Sequence, residues 1–264
     1  MDQVLIPALE DRFGVIIERE LRKRGWMYGP TGCIWMRISP VEEGASLVPA
    51  RVGRDLSDPS NFEVQAVDVS IAVPLRLLAA LQTALAKDIA AAFPSADVTF
   101  KVTENSGHPS RSFVFLVAES ATGLRWGSDA LWDYNPKDVN PEPMAKKLSA
   151  SVVEQLAWEL DVKGEGDFHL QDQLVCFQAL AAGRSSFLRR GGKEGLHARS
   201  TATQPEDVGG AEMREEDASE PFGHGSSHAQ TVRWVAAKML PGVRFFNGGD
   251  VVDGAGVKCG EESA

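Results

Sequence analysis

The chain is poor in cysteine and tyrosine and contains no long apolar run. It has three cysteines and two tyrosines in 264 residues. Cys33, Cys176 and Cys259 lie far apart without paired spacing, which argues against a disulfide framework or a zinc site and fits a reducing compartment. No apolar run is long enough to span a bilayer, and no early segment has the pattern of a secretory signal. We therefore expect an intracellular protein without a membrane partner.

Positive charge is also scarce. Lysine and arginine total 27 against 37 acidic residues, which gives a formal net charge of -10. This balance argues against a protein that coats nucleic acid non-specifically, although it allows one RNA end to bind in a local pocket. Hydrophobic residues make up 43% of the chain, enough to bury a core in one large or two small domains.

Apolar periodicity predicts an α/β (α+β) fold in three blocks, residues 1–44, 45–126 and 127–264. The first block should hold an amphipathic helix over residues 7–24 and a strand over residues 33–38. Its helix has an apolar stripe that includes Phe13, Ile16 and Ile17. Residues 42–61, rich in Gly, Pro, Ser and charge, should form the boundary that follows.

The middle block should be a small βαββ insert domain. Residues 67–73 alternate as a half-buried strand does, and residues 74–93 carry a helical stripe of leucines. Residues 98–102 alternate again, and residues 113–117 form a short apolar run. The pattern therefore predicts strand, helix, strand and strand in that order.

The last block should hold three helices and one strand. Helices are predicted over residues 143–160, 170–182 and 228–240, and a strand over residues 243–246. The third helix should bury Val232, Val235 and Met239 on one face. Residues 184–226 contain Gly, Ser, Glu and Arg with few large apolar side chains, so we expect an acidic, disordered loop there.

One polar string opens the predicted helix over residues 170–182. It runs His169, Leu170, Gln171, Asp172 and Gln173. Spacing alone favours an ordinary core helix whose polar first turn is capped or solvated by Asp172 and Gln173. An aspartate beside a glutamine near a helix start can also hold a ribose or the edge of a base.

A second string places His228 at the start of another helix. The sequence Ser-His-Ala-Gln-Thr occupies residues 227–231. Taken alone, such a histidine is more often a capping or surface residue. A neutral imidazole can also attack the α-phosphorus of ATP, and helix-start amides can bind phosphate oxygens.

Together, these strings resemble the RNA 3'-terminal phosphate cyclase family. The Leu-Gln-Asp-Gln string is followed by Ala-Leu-Ala-Ala-Gly at residues 179–183 and then by Ser-His-x-x-Thr. Met-Arg-Ile-Ser-Pro at residues 36–40 resembles a strand of that family, while residues 106–109 and 121–123 resemble its insert domain and the return from it. The resemblance implies repeated strand–helix units, with residues 1–44 and 127–264 as parts of the cyclase core.

The resemblance also implies an enzyme of the ligase class, active in RNA processing in the nucleus. His228 would be the histidine that becomes adenylated, and His169, Leu170, Gln171, Asp172 and Gln173 the nucleotide-binding segment. The family usually has tyrosine at the position of His169. The implied substrates are ATP, with a divalent metal such as Mg²⁺, and an RNA with a 3'-phosphate end. No metal ligand in this chain is implied.

Two alternatives remain open. The family has a non-catalytic branch that acts in ribosome assembly and lacks the nucleophilic histidine, so His228 favours the enzyme. The family's N-terminal region, with a Gly-rich turn and several arginines, has no counterpart ahead of Met1. We therefore expect a truncated core, and this chain alone should not turn over.

Overall fold

The computed structural model describes residues 3–26, 29, 31–49, 56–133, 140–189 and 213–260, in which helices alternate with mixed sheets. The helices are α1 (Leu5–Phe13), α2 (Leu75–Ala92), α3 (Pro141–Asp161), α4 (Phe168–Leu180) and α5 (Ser227–Met239). The strands are β1 (Ile17–Lys23), β2 (Cys33–Ile38), β3 (Val64–Val73), β4 (Asp97–Asn105), β5 (Arg111–Ser120), β6 (Arg125–Asp133), β7 (Ala182–Ser186), β8 (Arg244–Phe246) and β9 (Val251–Ala255). They form two compact units, Met1–Arg54 with Phe168–Ala264, and Asp55–Asp167.

The unit Asp55–Asp167 is a four-stranded sheet with two helices. Its strand order is β4-β3-β5-β6, with β3 and β4 parallel and the other pairs antiparallel. Helix α2 connects the parallel pair, as such a crossover requires. The predicted strands and helix of residues 67–117 are confirmed as β3, α2, β4 and β5. The unit continues beyond residue 126 through β6 and α3 to Asp167.

The core of this unit lies between its two helices and the sheet. Helix α2 buries Leu77, Leu81, Leu85 and Ile89, which repeat every four residues and so share one face. They pack in one cluster with apolar side chains of the sheet and of α3, including Trp126, which is fully buried. The apolar face of α2 is therefore the face that packs in the core.

In the other unit, the predicted helix over residues 7–24 is wrong beyond Phe13. Helix α1 ends at Phe13, Gly14 after it is left-handed with φ 65°, and the chain continues as β1. Strand β1 pairs with β2 in antiparallel register from Ile17↔Ile38 to Lys23↔Cys33. The predicted strand over residues 33–38 is thus confirmed.

The β1–β2 ribbon has one apolar face. Alternation and register place Leu21, Ile34, Met36 and Ile38 together on that face, and all four are exposed. Ile16, just before the ribbon, is 57% exposed, whereas Phe13 and Ile17 are buried. The ribbon is therefore anchored at its start and open along the rest of its apolar side.

The remaining elements of this unit are α4, α5 and an antiparallel sheet of order β7-β9-β8. The predicted helices over residues 170–182 and 228–240 are confirmed as α4 and α5, and the strand over residues 243–246 as β8. Strands β7 and β9 were not predicted. No helix in the described part of the chain is both long and apolar enough to cross a membrane.

The predicted disordered loop over residues 184–226 is wrong at both ends. Strand β7 reaches Ser186, and Phe187 and Arg189 are buried after it. At the far end, Glu215 pairs with Phe246 in an isolated bridge and Phe222 is buried against Phe245, with ring centroids 5.4 Å apart. Residues 190–212 lie outside the described residues.

Two leucines of α2 give a matched test of this core. Leu85 is fully buried, whereas Leu75, in the first turn, is 67% exposed. Leu85→Ala should lower the free energy of unfolding by about 3 kcal/mol, because it leaves a cavity between α2 and α3. Leu75→Ala should change it by less than about 0.5 kcal/mol. Guanidinium unfolding followed by circular dichroism measures both, and equal losses would contradict the packing.

Candidate functional site

The two polar strings lie in the first turns of neighbouring helices. Residues 169–173 belong to α4, which starts at Phe168, and His228 is the second residue of α5. Helices α4 and α5 pack against each other through a small core that includes Val175 and Ala229. The strings, more than fifty residues apart in sequence, therefore belong to one region of the fold.

Ser226 joins the two strings directly. Its hydroxyl donates to Asp172 Oδ1 at 2.6 Å, and its Oγ accepts from the Ala229 amide at 3.0 Å. The first contact reaches α4, and the second caps the N-terminus of α5. One side chain thus fixes where α5 begins and how its first turn lies against α4.

The first turn of α5 presents an imidazole and backbone amides that have no acceptor among the described residues. His228 is exposed. The first amides of a helix have no acceptor within the helix, and Ser226 satisfies only that of Ala229. The amides of Ser227 and His228 therefore lie at the positive end of the helix dipole, where an anion is stabilised.

Gln171 brings a buried amide side chain to the same place. It is 2% exposed, and within the described residues neither its Oε1 nor its Nε2 has a hydrogen-bond partner. Its Oε1 lies against Gly225, where an added Cβ would be only 2.7 Å away. Gly225 also has φ +93°, so both conformation and space require glycine there.

The other members of the first string lie differently. Leu170 is buried in the core. His169 is exposed and meets the Phe168 ring edge-on at 5.9 Å, and Gln173 is exposed. The side chains of His169 and Gln173 make no hydrogen bond in the described part of the chain. The structure therefore brings Gln171 and Asp172, but not His169 or Gln173, to the segment before His228.

Sequence reasoning missed Arg233. Val235 and Met239, predicted to be buried, are 38% and 72% exposed, and the buried face of α5 carries Ala229 and Arg233 instead. Burial lowers the pKa of Arg233 from its ordinary value, and nearby carboxylates, first that of Asp250, oppose this shift. Hydrophobic periodicity could not have found this residue, because the buried side chain is charged.

No group of three or more His, Cys, Asp or Glu side chains suited to a metal ion occurs among the residues that the structure describes.

Comparison with known proteins adds no assignment. No family model matches the chain, and no curated protein matches it.

Alanine variants of two adjacent serines, Ser226 and Ser227, test the junction between α4 and α5. Ser226→Ala removes both the cap of α5 and the bond to Asp172, so it should lower the free energy of unfolding by about 1 kcal/mol. Ser227→Ala, at the exposed first residue of α5, should change it by only a few tenths, roughly. Chemical denaturation measures both variants. A larger loss for Ser227→Ala would mean that the helix starts elsewhere.

Proposed function

We propose that the protein is an RNA 3'-terminal phosphate cyclase, in which His228 takes AMP from ATP and passes it to an RNA 3'-phosphate. The family and the nuclear location rest on the sequence resemblance described above. The observation that carries the proposal is the Ser226 junction, which brings Asp172 of the proposed nucleotide segment to the helix that bears His228.

The proposed first step uses groups at the start of α5. A ring nitrogen of His228 attacks the α-phosphorus, a nitrogen–phosphorus bond forms, pyrophosphate leaves, and the proton on the other ring nitrogen is released. The amides of Ser227 and His228 stabilise the negative charge on the α-phosphate oxygens. Exposure of the imidazole supports the proposal, because a buried ring could not meet a nucleotide.

The following steps consume the adenylate. A 3'-phosphate oxygen of the RNA attacks the same phosphorus, which restores His228 and leaves an RNA–AMP anhydride. The neighbouring 2'-hydroxyl then attacks the 3'-phosphorus, loses its proton and releases AMP. The product is a 2',3'-cyclic phosphate.

Gln171 acts on the segment that leads to His228 and not on a ligand, because its amide is enclosed by protein. The buried amide has no partner within the described residues, which carries a desolvation cost. Its oxygen lies against Gly225, immediately before the capping serine. Replacing it should therefore shift the start of α5, where the nucleotide is proposed to bind.

Covalent labelling tests His228. The protein as the cell makes it, incubated with ATP labelled at the α-phosphate, should retain label, and His228→Ala should retain none. His108→Ala is the control, because His108 lies in the unit Asp55–Asp167. The bond should be acid-labile and alkali-stable, as a phosphoramidate is.

Two results would contradict the assignment. Equal label on the unsubstituted protein and on His228→Ala would place the adenylate on another residue. No label on the unsubstituted protein would contradict the proposed function, as both the non-catalytic branch and an inactive truncated core predict. Formation of the cyclic product is read separately on a 3'-phosphorylated oligonucleotide, whose cyclised end resists phosphatase.

Variants of two buried glutamines of α4, Gln171 and Gln178, distinguish effects on stability from effects on ATP binding. Gln171→Met should raise the free energy of unfolding by about 1 kcal/mol, because it removes an unpaired buried amide. It should also weaken ATP binding measured by calorimetry. Gln178 is the matched control, since it is buried but donates to Ser185 Oγ at 3.4 Å.

Gln178→Met should lower stability and leave ATP affinity unchanged. If Gln171→Met is destabilising and binds ATP normally, Gln171 is a packing residue and lends no support to the nucleotide site.

A further inference from the structure

Arg233 is a buried cation that reaches back along its own helix. Its side chain is 1% exposed, and its Nη1 donates to the carbonyl oxygen of His224, nine residues earlier. Helical side chains point toward the N-terminus, which explains how a residue in the second turn reaches the segment before the helix. Arg233 therefore holds the segment from which α5 begins.

The guanidinium is enclosed by backbone. A Cβ added at Gly249 would lie 2.2 Å from Arg233 Nε, and one added at Gly223 would lie 3.1 Å from Nη1. Gly249 follows β8, whereas Gly223 precedes α5. Arg233 thus lies between the turn after β8 and the segment leading to His228, and both approach it closely.

Charge and hydrogen bonds join the same two segments. The carboxylates of Asp250, Asp172 and Glu216 attract the Arg233 cation. Glu216 Oε1 accepts from the Gly248 amide at 2.8 Å, and the His224 amide donates to the Gly248 carbonyl at 2.7 Å. Asp172 in turn accepts a hydrogen bond from Ser226, so its charge interaction with Arg233 links the arginine to the residue that caps α5.

We infer that Arg233 is a positioning residue for His228, because its buried guanidinium fixes residues 223–226 and thereby the first turn of α5. The inference rests on the proposed function of His228. Arg233 itself touches no nucleotide, since it is enclosed by protein.

A purely structural role and a positioning role make different predictions for the folded variant. Removing one member of a buried charge cluster costs stability under either role, so stability alone does not separate them. Positioning requires in addition that the replacement loosen residues 223–226 and slow the reaction of His228. Arg233→Met, which keeps much of the length and removes the charge and the donors, separates the two roles.

Amide hydrogen exchange tests the positioning without any reaction. In Arg233→Met, the amides of His224, Gly248 and Ala229 should exchange about tenfold faster than in the unsubstituted protein. Amides of α2 should be unaffected. Lys238→Met, which removes an exposed cation from the same helix, is the control and should change none of them.

Adenylation kinetics test the functional consequence. Arg233→Met should lower the maximal rate of label formation about tenfold or more, because a small displacement of the nucleophile is costly. The ATP concentration at half-maximal rate should change little. Arg233→Lys keeps the charge but not the planar fork, so it should restore part of the rate.

The outcomes distinguish this inference from the proposed function. Unchanged exchange in a folded Arg233→Met protein, or an unchanged labelling rate, overturns the role of Arg233. If the unsubstituted protein takes no label while Arg233→Met shows faster exchange, the proposed function fails and the anchoring of residues 223–226 by Arg233 is supported. If Arg233→Met does not fold, Arg233→Lys decides, and normal exchange at His224 and Ala229 in that variant overturns the inference.

Discussion

The hydrogen bond from Ser226 to Asp172 is the constraint on which the candidate site depends. At 2.6 Å it is short, as expected for a hydroxyl that donates to a carboxylate. Without it, α4 and α5 would still share an apolar contact, but the capping residue of α5 would lose its bond to α4. Because the same serine caps the helix, one side chain determines both where α5 starts and how α5 is attached to α4. The orientation of His228 follows from both.

A balance of charge lies behind this hydrogen bond. Asp172, which accepts from Ser226, is one of the carboxylates that attract the buried Arg233 cation. Arg233 is tolerated in the interior because three carboxylates oppose its desolvation and the His224 carbonyl accepts from it. Removing one carboxylate would leave the buried cation less well balanced, so the cluster is sensitive to the loss of any single member.

The sequence predicted the features that depend on local pattern. Helix α2 and its neighbouring strands follow from periodicity, and the starts of α4 and α5 follow from polar strings ahead of apolar stripes. Strand β1 was missed because Leu9, Phe13, Ile17 and Leu21 fit a helical stripe as well as they fit a helix followed by an alternating strand. Only the left-handed Gly14 separates the two structures. The order around Phe222 was missed because its partner, Phe245, lies on a distant strand, and composition cannot report such contacts.

The stability of the β1–β2 ribbon should depend only weakly on denaturant concentration. Most of its apolar side chains already contact water in the folded state, so separating the two strands would expose little additional apolar surface. The dependence of a free energy on denaturant scales with the area newly exposed. Opening of the ribbon should therefore respond weakly to urea, whereas unfolding of the buried α2–α3 core responds strongly. In mild denaturant the free energy of unfolding of the α2–α3 core would fall, while the free energy of opening the ribbon would stay nearly constant. The difference between these two free energies would therefore narrow before either part unfolds.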